Sequence, residues 1–320
     1  MVEYGYAMSS EEHAPNDLVR YAIRAEELGF SFALISDHFH PWVDKQGNAP
    51  FVWNIIGAIA YNTRKLRLGT GVTCPTVRIH PGILAQAAAT SAAMMPGRFF
   101  FGVGTGENLN EHIFGDHWPP IDLRQEMFTE ALDIIRRLWE GEEISYWGDF
   151  YTVENARLYT LPPEPPPLYV AASGPSSAEL AGQIGDGFIS TSPEAELVKA
   201  FNEAGGKGKP CYGKTIFCYA KTEAEALDTV AEWWPTSAVP GSLHADLPTP
   251  AHFEDAAKMV KKEDMAGLMP MGPDPRPYLE EFQKFLDAGF THIYLHQVGP
   301  DQDGFFSFYE KELKPHLPGL

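Results

Sequence analysis

The sequence predicts a (β/α)8 TIM barrel, and two observations support this prediction. About eight short apolar runs alternate along the chain with segments whose apolar residues recur at helical spacing. The length of 320 residues suits one such barrel with insertions, and no change in composition marks a domain boundary. We therefore expect a single domain over residues 1–320, with insertions near 141–167 and 236–272. A doubly wound parallel sheet is the alternative architecture.

The predicted strands and helices follow one another in order. Continuously apolar stretches such as "GFSFALIS" are typical of parallel strands that are covered on both faces, and Pro81 suits the first turn of a helix. The strands are predicted over 2–8, 29–36, 66–74, 98–106, 168–174, 187–192, 214–220 and 292–298, and the helices over 15–28, 51–63, 81–95, 123–139, 177–184, 223–234, 277–290 and 305–313.

The composition indicates a globular protein that does not bind nucleic acid. The formal charge of −19 repels polyphosphate backbones, although it leaves room for a small anionic ligand. Cys74, Cys211 and Cys218 are an odd number without a CxxC spacing, which disfavours a disulfide framework or a zinc knuckle. No run approaches the roughly 18 apolar residues of a membrane span, and no signal peptide is recognisable. We expect a cytoplasmic protein with a small-molecule substrate and no membrane contact.

Polar residues and glycines concentrate where the predicted strands end. The second strand is followed by "SDHFHPW", which places Asp37, His38, His40 and Trp42 close together. Other strands end in "GTGVTCP", "GVGTGENLNE", "ASGPSS", "STSPE" and "HQVGP". Active sites of TIM barrels lie at the carboxyl ends of the strands, so these segments predict the site.

Two of these segments allow more than one interpretation. Gly102, Gly104 and Gly106 precede Glu107, and such glycines either let a flat ligand approach the backbone or satisfy packing within the barrel. "GVGTG" lacks the GxGxxG spacing of a dinucleotide-binding loop. The serines of "ASGPSS" indicate either an anion site at a helix N-terminus or simple N-capping by Ser176 or Ser177.

A metal site is a further interpretation of the histidines. His38 and His40 could ligate a divalent ion, with His80 and His296 as later ligands, as in metal-dependent TIM-barrel hydrolases. The acid expected after the eighth strand is missing, however. We therefore predict no metal site and keep the hydrolase as an alternative.

Three separated segments resemble the luciferase-like superfamily. They are "SDHFHPW", "GTGVTCPTVRIHPGILAQAAATSAAMMPGRFFFGVGTGENLNE" and "YVAASGPSSAELAGQIGDGFISTS". Within the superfamily they are similar to coenzyme F420-dependent dehydrogenases, the subgroup named for F420-dependent glucose-6-phosphate dehydrogenase. The resemblance implies a TIM barrel that binds F420 across its carboxyl mouth and transfers a hydride between F420 and a hydroxyl or carbonyl substrate.

The resemblance also implies roles for residues at matching positions. His38 matches the catalytic histidine, expected to act as base, and Glu107 matches the second catalytic residue, expected to act as acid. Asp37 is expected to contact the cofactor and to fix the tautomer or basicity of His38, and Gly71–Val72 matches a non-proline cis peptide behind the cofactor ring. Cys74 stands where a relative has threonine. The implied cofactor contacts are Asp37, Gly71, Val72, Cys74, Thr105, Gly106, Asn110, Ser173, Gly174, Ser176 and Ser177, and the implied substrate contacts are Trp42 and Thr191.

The sequence departs from this subgroup where the sugar phosphate would bind. Basic residues are expected after "STS" and around the start of the eighth strand, but these positions read Pro193–Glu194, "MAGLMPMG" and "AGFTHIY". We therefore expect an unphosphorylated sugar or a secondary alcohol rather than glucose 6-phosphate. An FMN-dependent monooxygenase and a non-catalytic cofactor-binding protein stay open as interpretations, and the resemblance implies a homodimer.

Overall fold

The parallel strands form a closed barrel, as predicted. The computed structural model describes residues 2–318. The barrel order β1-β10-β9-β8-β7-β4-β3-β2 closes on itself, which excludes the doubly wound sheet. Within the described residues the strands are β1 (Glu3–Met8), β2 (Phe32–Ile35), β3 (Arg67–Thr70), β4 (Phe99–Val103), β5 (Ile144–Trp147), β6 (Thr152–Ala156), β7 (Leu168–Ala171), β8 (Gly187–Ser190), β9 (Cys211–Phe217) and β10 (His292–Gln297).

Helices connect the strands and cover the outside of the barrel. Helix α1 begins at a proline and ends at Gly29, whose φ of 84° gives the left-handed cap that favours glycine. Within residues 2–318 the α-helices are α1 (Pro15–Leu28), α2 (Val52–Asn62), α3 (Pro81–Met94), α4 (Asn108–Glu111), α5 (Ile121–Trp139), α6 (Pro175–Ile184), α7 (Ala195–Phe201), α8 (Glu223–Trp233), α9 (Gly241–Asp246), α10 (Pro250–Ala257), α11 (Arg276–Asp287) and α12 (Gln302–Phe308).

The main differences from the predicted elements lie in the second half of the chain. Helix α7 was not predicted, and α12 begins three residues earlier than expected. Strand β9 spans Cys211–Phe217 rather than 214–220. The prediction of β9 was wrong because a lysine is more typical of a strand end, whereas Lys214 lies in the middle of this strand. The segment 141–167 contains the hairpin β5–β6, and 236–272 contains α9 and α10.

Aromatic side chains fill the lower interior of the barrel. Phe32, Phe100, Tyr212 and Tyr294 belong to one buried cluster contributed by four strands. Gly69 makes room for this cluster, since a Cβ there would lie 2.0 Å from Phe100 Cε2. These side chains fill the interior at that end, so a site inside the barrel lies at the carboxyl ends of the strands.

Candidate active site

The central contact of the mouth joins His38 to Glu11. His38 Nε2 lies 3.2 Å from Glu11 Oε1, and His38 Nδ1 lies 3.1 Å from the carbonyl oxygen of His40. A carboxylate and a carbonyl can only accept hydrogen bonds, so both contacts are satisfied when each ring nitrogen carries a proton. This geometry places the Nε2 proton of His38 against the Glu11 carboxylate.

Glu11 is kept ionised in this buried position. Its side chain is 2% exposed, and it accepts hydrogen bonds from Ser36 Oγ at 2.5 Å and Ser9 Oγ at 2.9 Å. Burial alone would raise the pKa of Glu11, but the charge of His38, the Ser36 hydroxyl and the ammonium of Lys214 lower it to about 2. Glu11 therefore supplies a permanent negative charge beside His38.

Asp37 does not orient His38, so that expectation was wrong. Asp37 Oδ2 accepts a hydrogen bond from Thr73 Oγ1 at 2.8 Å, and Asp37 Oδ1 accepts one from Arg78 Nη2 at 2.8 Å. Arg78 also pairs with Glu111 through its backbone N–H at 2.6 Å. Asp37 and His38 do not meet because their side chains point in different directions. The buried Asp37 carboxylate points toward the loop after β3, while the imidazole of His38 points toward the end of β1. Asp37 therefore anchors the loop that follows β2 to the loop that follows β3.

Asn110 joins the loop after β2 to the second predicted catalytic residue, Glu107. Its side-chain oxygen accepts hydrogen bonds from the backbone N–H of Phe39 at 2.9 Å and of His40 at 3.2 Å. Its side-chain nitrogen donates to Glu107 Oε2 at 3.3 Å. Both ends of this buried amide are thus used within the protein. A direct contact of Asn110 with a cofactor stays a prediction, whereas its position between the two loops is established.

The glycines within β4 and just after it are closely packed. A Cβ on Gly102 would lie 1.9 Å from the carbonyl oxygen of Thr70, and one on Gly104 would lie 2.9 Å from Val72 Cγ2. Gly106 has φ of 77°, and its Cβ would lie 2.6 Å from Cys74 Sγ. The packing interpretation therefore accounts for Gly102 and Gly104, and a contact of the half-buried Thr105 with a cofactor stays a prediction.

The peptide bond between Gly71 and Val72 is cis, as the resemblance implied. Cys74 follows it, is buried, and has its Sγ 3.0 Å from Thr76 Oγ1. Burial, together with Glu111, raises the pKa of the Cys74 thiol. A role of Gly71, Val72 and Cys74 in cofactor binding stays a prediction, and for Cys74 only the contacts beneath Gly106 are observed.

The turn before α6 carries the serines that were predicted to bind an anion. The N-cap residue is Gly174, not Ser176 or Ser177, and Ser177 Oγ accepts a hydrogen bond from the Gly174 N–H at 3.2 Å. Ser173 and Ser176 are exposed. Because the first N–H groups of a helix have no partner within the helix, they are free to bind an anion.

The predicted substrate residues lie on either side of the mouth. The Trp42 ring lies 5.1 Å from the imidazole of His38 and 5.1 Å from the ring of Phe253 in α10. Thr191 directly follows β8 and is exposed. His40 donates through Nδ1 to the carbonyl oxygen of Leu109 at 2.8 Å, which explains it as a structural residue. The insertion that carries α10 therefore covers one side of the mouth through Trp42.

Sequence reasoning missed Glu11 and Lys214. Glu11 follows β1 in "SSEEH", so the rule about strand ends could have found it. Lys214 was missed because the predicted strand began there, which hid its place on the inner face of the barrel.

Neither a metal-binding cluster nor a membrane-spanning helix is found among the described residues. In residues 2–318 no three His, Cys, Asp or Glu side chains are grouped so that they could hold a metal ion. None of the described helices combines the length and the apolar character needed to cross a membrane.

Known proteins resemble this chain over its whole length. F420-dependent glucose-6-phosphate dehydrogenase of Beutenbergia cavernae is 36% identical, with 99% of this chain and 98% of the relative covered. The enzyme of the same name from Kribbella flavida is 37% identical, with 100% and 99% covered. An F420-dependent secondary alcohol dehydrogenase, solved in complex with an F420-acetone adduct, superposes with a TM-score of 0.88 at 29% identity and 97% coverage of both chains. The model of the family described as luciferase-like monooxygenase matches residues 3–292, and the chain therefore belongs to this family.

Proposed function

We propose that this protein is an F420-dependent oxidoreductase that transfers a hydride between coenzyme F420 and a hydroxyl or carbonyl substrate. The observation that carries the proposal is the pairing of His38 with Glu11 at 3.2 Å, with Glu107 linked through Asn110 to the loop that carries His38. The full-length relatives named as F420-dependent dehydrogenases support the choice of cofactor. An FMN-dependent monooxygenase remains the second candidate, because the matching family model is described by that activity.

The residues of the mouth fit an elongated anionic cofactor. The N–H groups of Ser176 and Ser177 and the exposed hydroxyls of Ser173 and Ser176 would hold its phosphate. Thr105 and the backbone at Gly71, Val72 and Gly106 would lie against its ring. When bound, F420 supplies the ring carbon that accepts or gives up the hydride.

Side chains of the protein accept and donate the proton of the substrate hydroxyl. In the direction of oxidation, neutral His38, with its proton on Nδ1 against the carbonyl oxygen of His40, accepts the substrate hydroxyl proton at Nε2 as the hydride leaves the carbon that bears the hydroxyl. The carboxylate of Glu11 stabilises the resulting imidazolium through the observed contact. In the direction of reduction the same proton returns to the carbonyl oxygen. Glu107, positioned by Asn110, is the second proton-holding group, and we assign it the role of acid.

An unphosphorylated substrate is part of the proposal. Glu194 is exposed at the N-terminus of α7, where the subgroup pattern would require a basic residue. Met269 and Met271 pack with Trp42 and Trp234 in one largely apolar cluster beside the mouth. A negatively charged residue and an apolar wall at these two positions disfavour a phosphate dianion there, because its burial requires charged partners.

The proposal extends to a homodimer in the cytoplasm. The exposed Ile83 and Met94 on α3, together with Tyr61 on α2, support a contact through the helices of the first half of the barrel. Their large apolar side chains would gain free energy by burial against a second copy.

The experiment is a titration with F420 and, separately, with FMN, followed by a panel of alcohols and sugars. Turnover is measured at the absorbance band of oxidised F420. We expect F420 to bind and to be reduced, His38→Ala to bind F420 with turnover reduced by about 10²-fold or more, and exposed His316→Ala to behave as wild type. Binding of FMN alone, or a His38→Ala variant with unchanged kcat, contradicts the proposal.

A further inference from the structure

A lysine from the middle of a strand points into the barrel next to the site. Lys214 of β9 lies opposite Tyr294 of β10 in the strand register, and Tyr294 belongs to the interior aromatic cluster. Tyr212, two positions earlier on β9, belongs to the same cluster. Because side chains alternate along a strand, Lys214 faces the interior one layer nearer the mouth.

His296 faces the same layer from the neighbouring strand. It lies two positions after Tyr294 on β10 and is 1% exposed. Its Nε2 donates to Glu12 Oε2 at 2.8 Å, and Glu12 Oε1 accepts from the Gly299 N–H at 2.7 Å. Its Nδ1 is buried and has no hydrogen-bond partner in the described part of the chain. Burial, and then the nearby ammonium of Lys214, lowers the pKa of His296, so the neutral ring is favoured.

No group of the protein satisfies the ammonium of Lys214. Within residues 2–318 no acceptor oxygen forms a hydrogen bond or ion pair with its Nζ. Burial lowers the pKa of Lys214, and the nearby carboxylates of Glu11, Glu12 and Glu107 raise it by a smaller amount. Each of these carboxylates is held by other partners, namely the His38 and Ser36 side chains, the His296 ring and the Asn110 amide.

The surroundings keep this ammonium in place without giving it an acceptor. The Trp234 ring lies 5.9 Å from Lys214 Nζ and 4.8 Å from the His296 ring. An indole face attracts a cation but accepts none of its three N–H groups in a strong hydrogen bond. Lys214 is half-buried, so its ammonium takes acceptors from the open mouth, where an oxygen atom of a ligand can replace water.

We propose that Lys214 binds a second oxygen group of the substrate and so selects compounds that carry a carboxylate or hydroxyl besides the reacting hydroxyl. The inference rests on the proposed function, since His38 and Glu107 define where the reacting group lies. Hydroxy acids and polyols share the required acceptor chemistry, whereas a simple secondary alcohol lacks it. Trp234 and His296 position the lysine and do not contact the reacting atoms.

The test compares substrates that share one carbon skeleton. 2-Butanol, 1,3-butanediol and 3-hydroxybutyrate are assayed with F420 and the wild-type enzyme, Lys214→Met, Lys214→Arg and Lys221→Met. Lys221 is exposed just beyond β9 and serves as the matched control. Because a hydrogen bond to a charged group contributes more than a neutral one, Lys214→Met is expected to lower kcat/KM for a bifunctional substrate by about 10- to 100-fold. The value for 2-butanol, the F420 affinity and the control variant are expected to stay unchanged.

The outcomes show whether Lys214 binds a carboxylate or a hydroxyl oxygen. They also distinguish a failure of this inference from a failure of the proposed function. A loss confined to 3-hydroxybutyrate identifies a carboxylate, and an equal loss with 1,3-butanediol identifies a hydroxyl. Partial recovery in Lys214→Arg supports a charge-dependent contact rather than a change in folding. An equal loss for 2-butanol, or no loss for any compound, overturns the role of Lys214 while leaving F420-dependent turnover intact. Absence of F420-dependent turnover with all three compounds in the wild-type enzyme, and with the wider panel, overturns the proposed function and this inference with it.

Discussion

Replacing Glu11 by glutamine tests the central contact of the site. Glutamine keeps the size of the side chain but removes the charge that lies 3.2 Å from His38 Nε2. Loss of this charge leaves the imidazolium that forms during oxidation without its counter-ion. We expect kcat to fall by about 10²- to 10³-fold, in the range that one positioned acid–base group contributes. The F420 affinity is expected to remain, because Glu11 lies with His38 and not at the proposed anion site before α6.

The same substitution changes how stability depends on pH. Folding lowers the pKa of Glu11 from 4.5 to about 2, so the unfolded chain binds the proton more readily between these values. Stability from this carboxylate is therefore present above pH 4.5 and is lost as the pH falls toward 2. A shift of this size corresponds to about 3 kcal/mol, of which somewhat less than half is lost by pH 3.5.

Urea unfolding at pH 7, 4.5 and 3.5 measures this loss, with kcat measured in parallel at pH 7. Glu11→Gln is expected to be less stable than wild type at pH 7 and to lose less stability on acidification. The exposed Glu164→Gln variant controls for the removal of any one carboxylate. The reasoning is refuted if Glu11→Gln retains the wild-type kcat, or if its stability falls as steeply between pH 4.5 and 3.5 as that of wild type.

Two further substitutions test the loop that carries Glu107, the proposed second catalytic residue. Gly106→Ala introduces a Cβ 2.6 Å from Cys74 Sγ at a φ of 77°, and we expect a loss of about 2–4 kcal/mol in the free energy of unfolding. Gly115→Ala is the matched control, since φ there is 86° and no atom lies near the added Cβ. A loss of about 1–2 kcal/mol in the free energy of unfolding is expected for this control. Equal losses for the two variants, measured by urea unfolding, would contradict the packing argument. Glu107→Gln is expected to reduce kcat by about 10²-fold with little change in F420 affinity, and an unchanged kcat would remove Glu107 from the assigned role.

The barrel could be predicted because the apolar patterns that indicate it lie within short segments of the sequence. Alternating apolar strands and helices determine the fold class, and the rule that sites lie at the carboxyl ends of strands selected His38, Trp42 and Glu107. The boundaries were less certain where a charged residue lies within a strand, as at Lys214 in β9. A lysine is expected at a strand end, and only the neighbouring strands show that its ammonium lies inside.

By itself, the sequence determined the architecture and the set of strand ends that meet at the mouth. Only the tertiary structure decided which side chains act together, because closure of the barrel joins positions that are distant along the chain. It pairs Glu11 with His38, turns Asp37 toward Arg78, and brings Glu12 to His296, which lies 284 positions away. The strand register then decides to which face of the sheet each side chain points, because neighbouring residues on a strand point to opposite faces. This register places Lys214 inside the barrel.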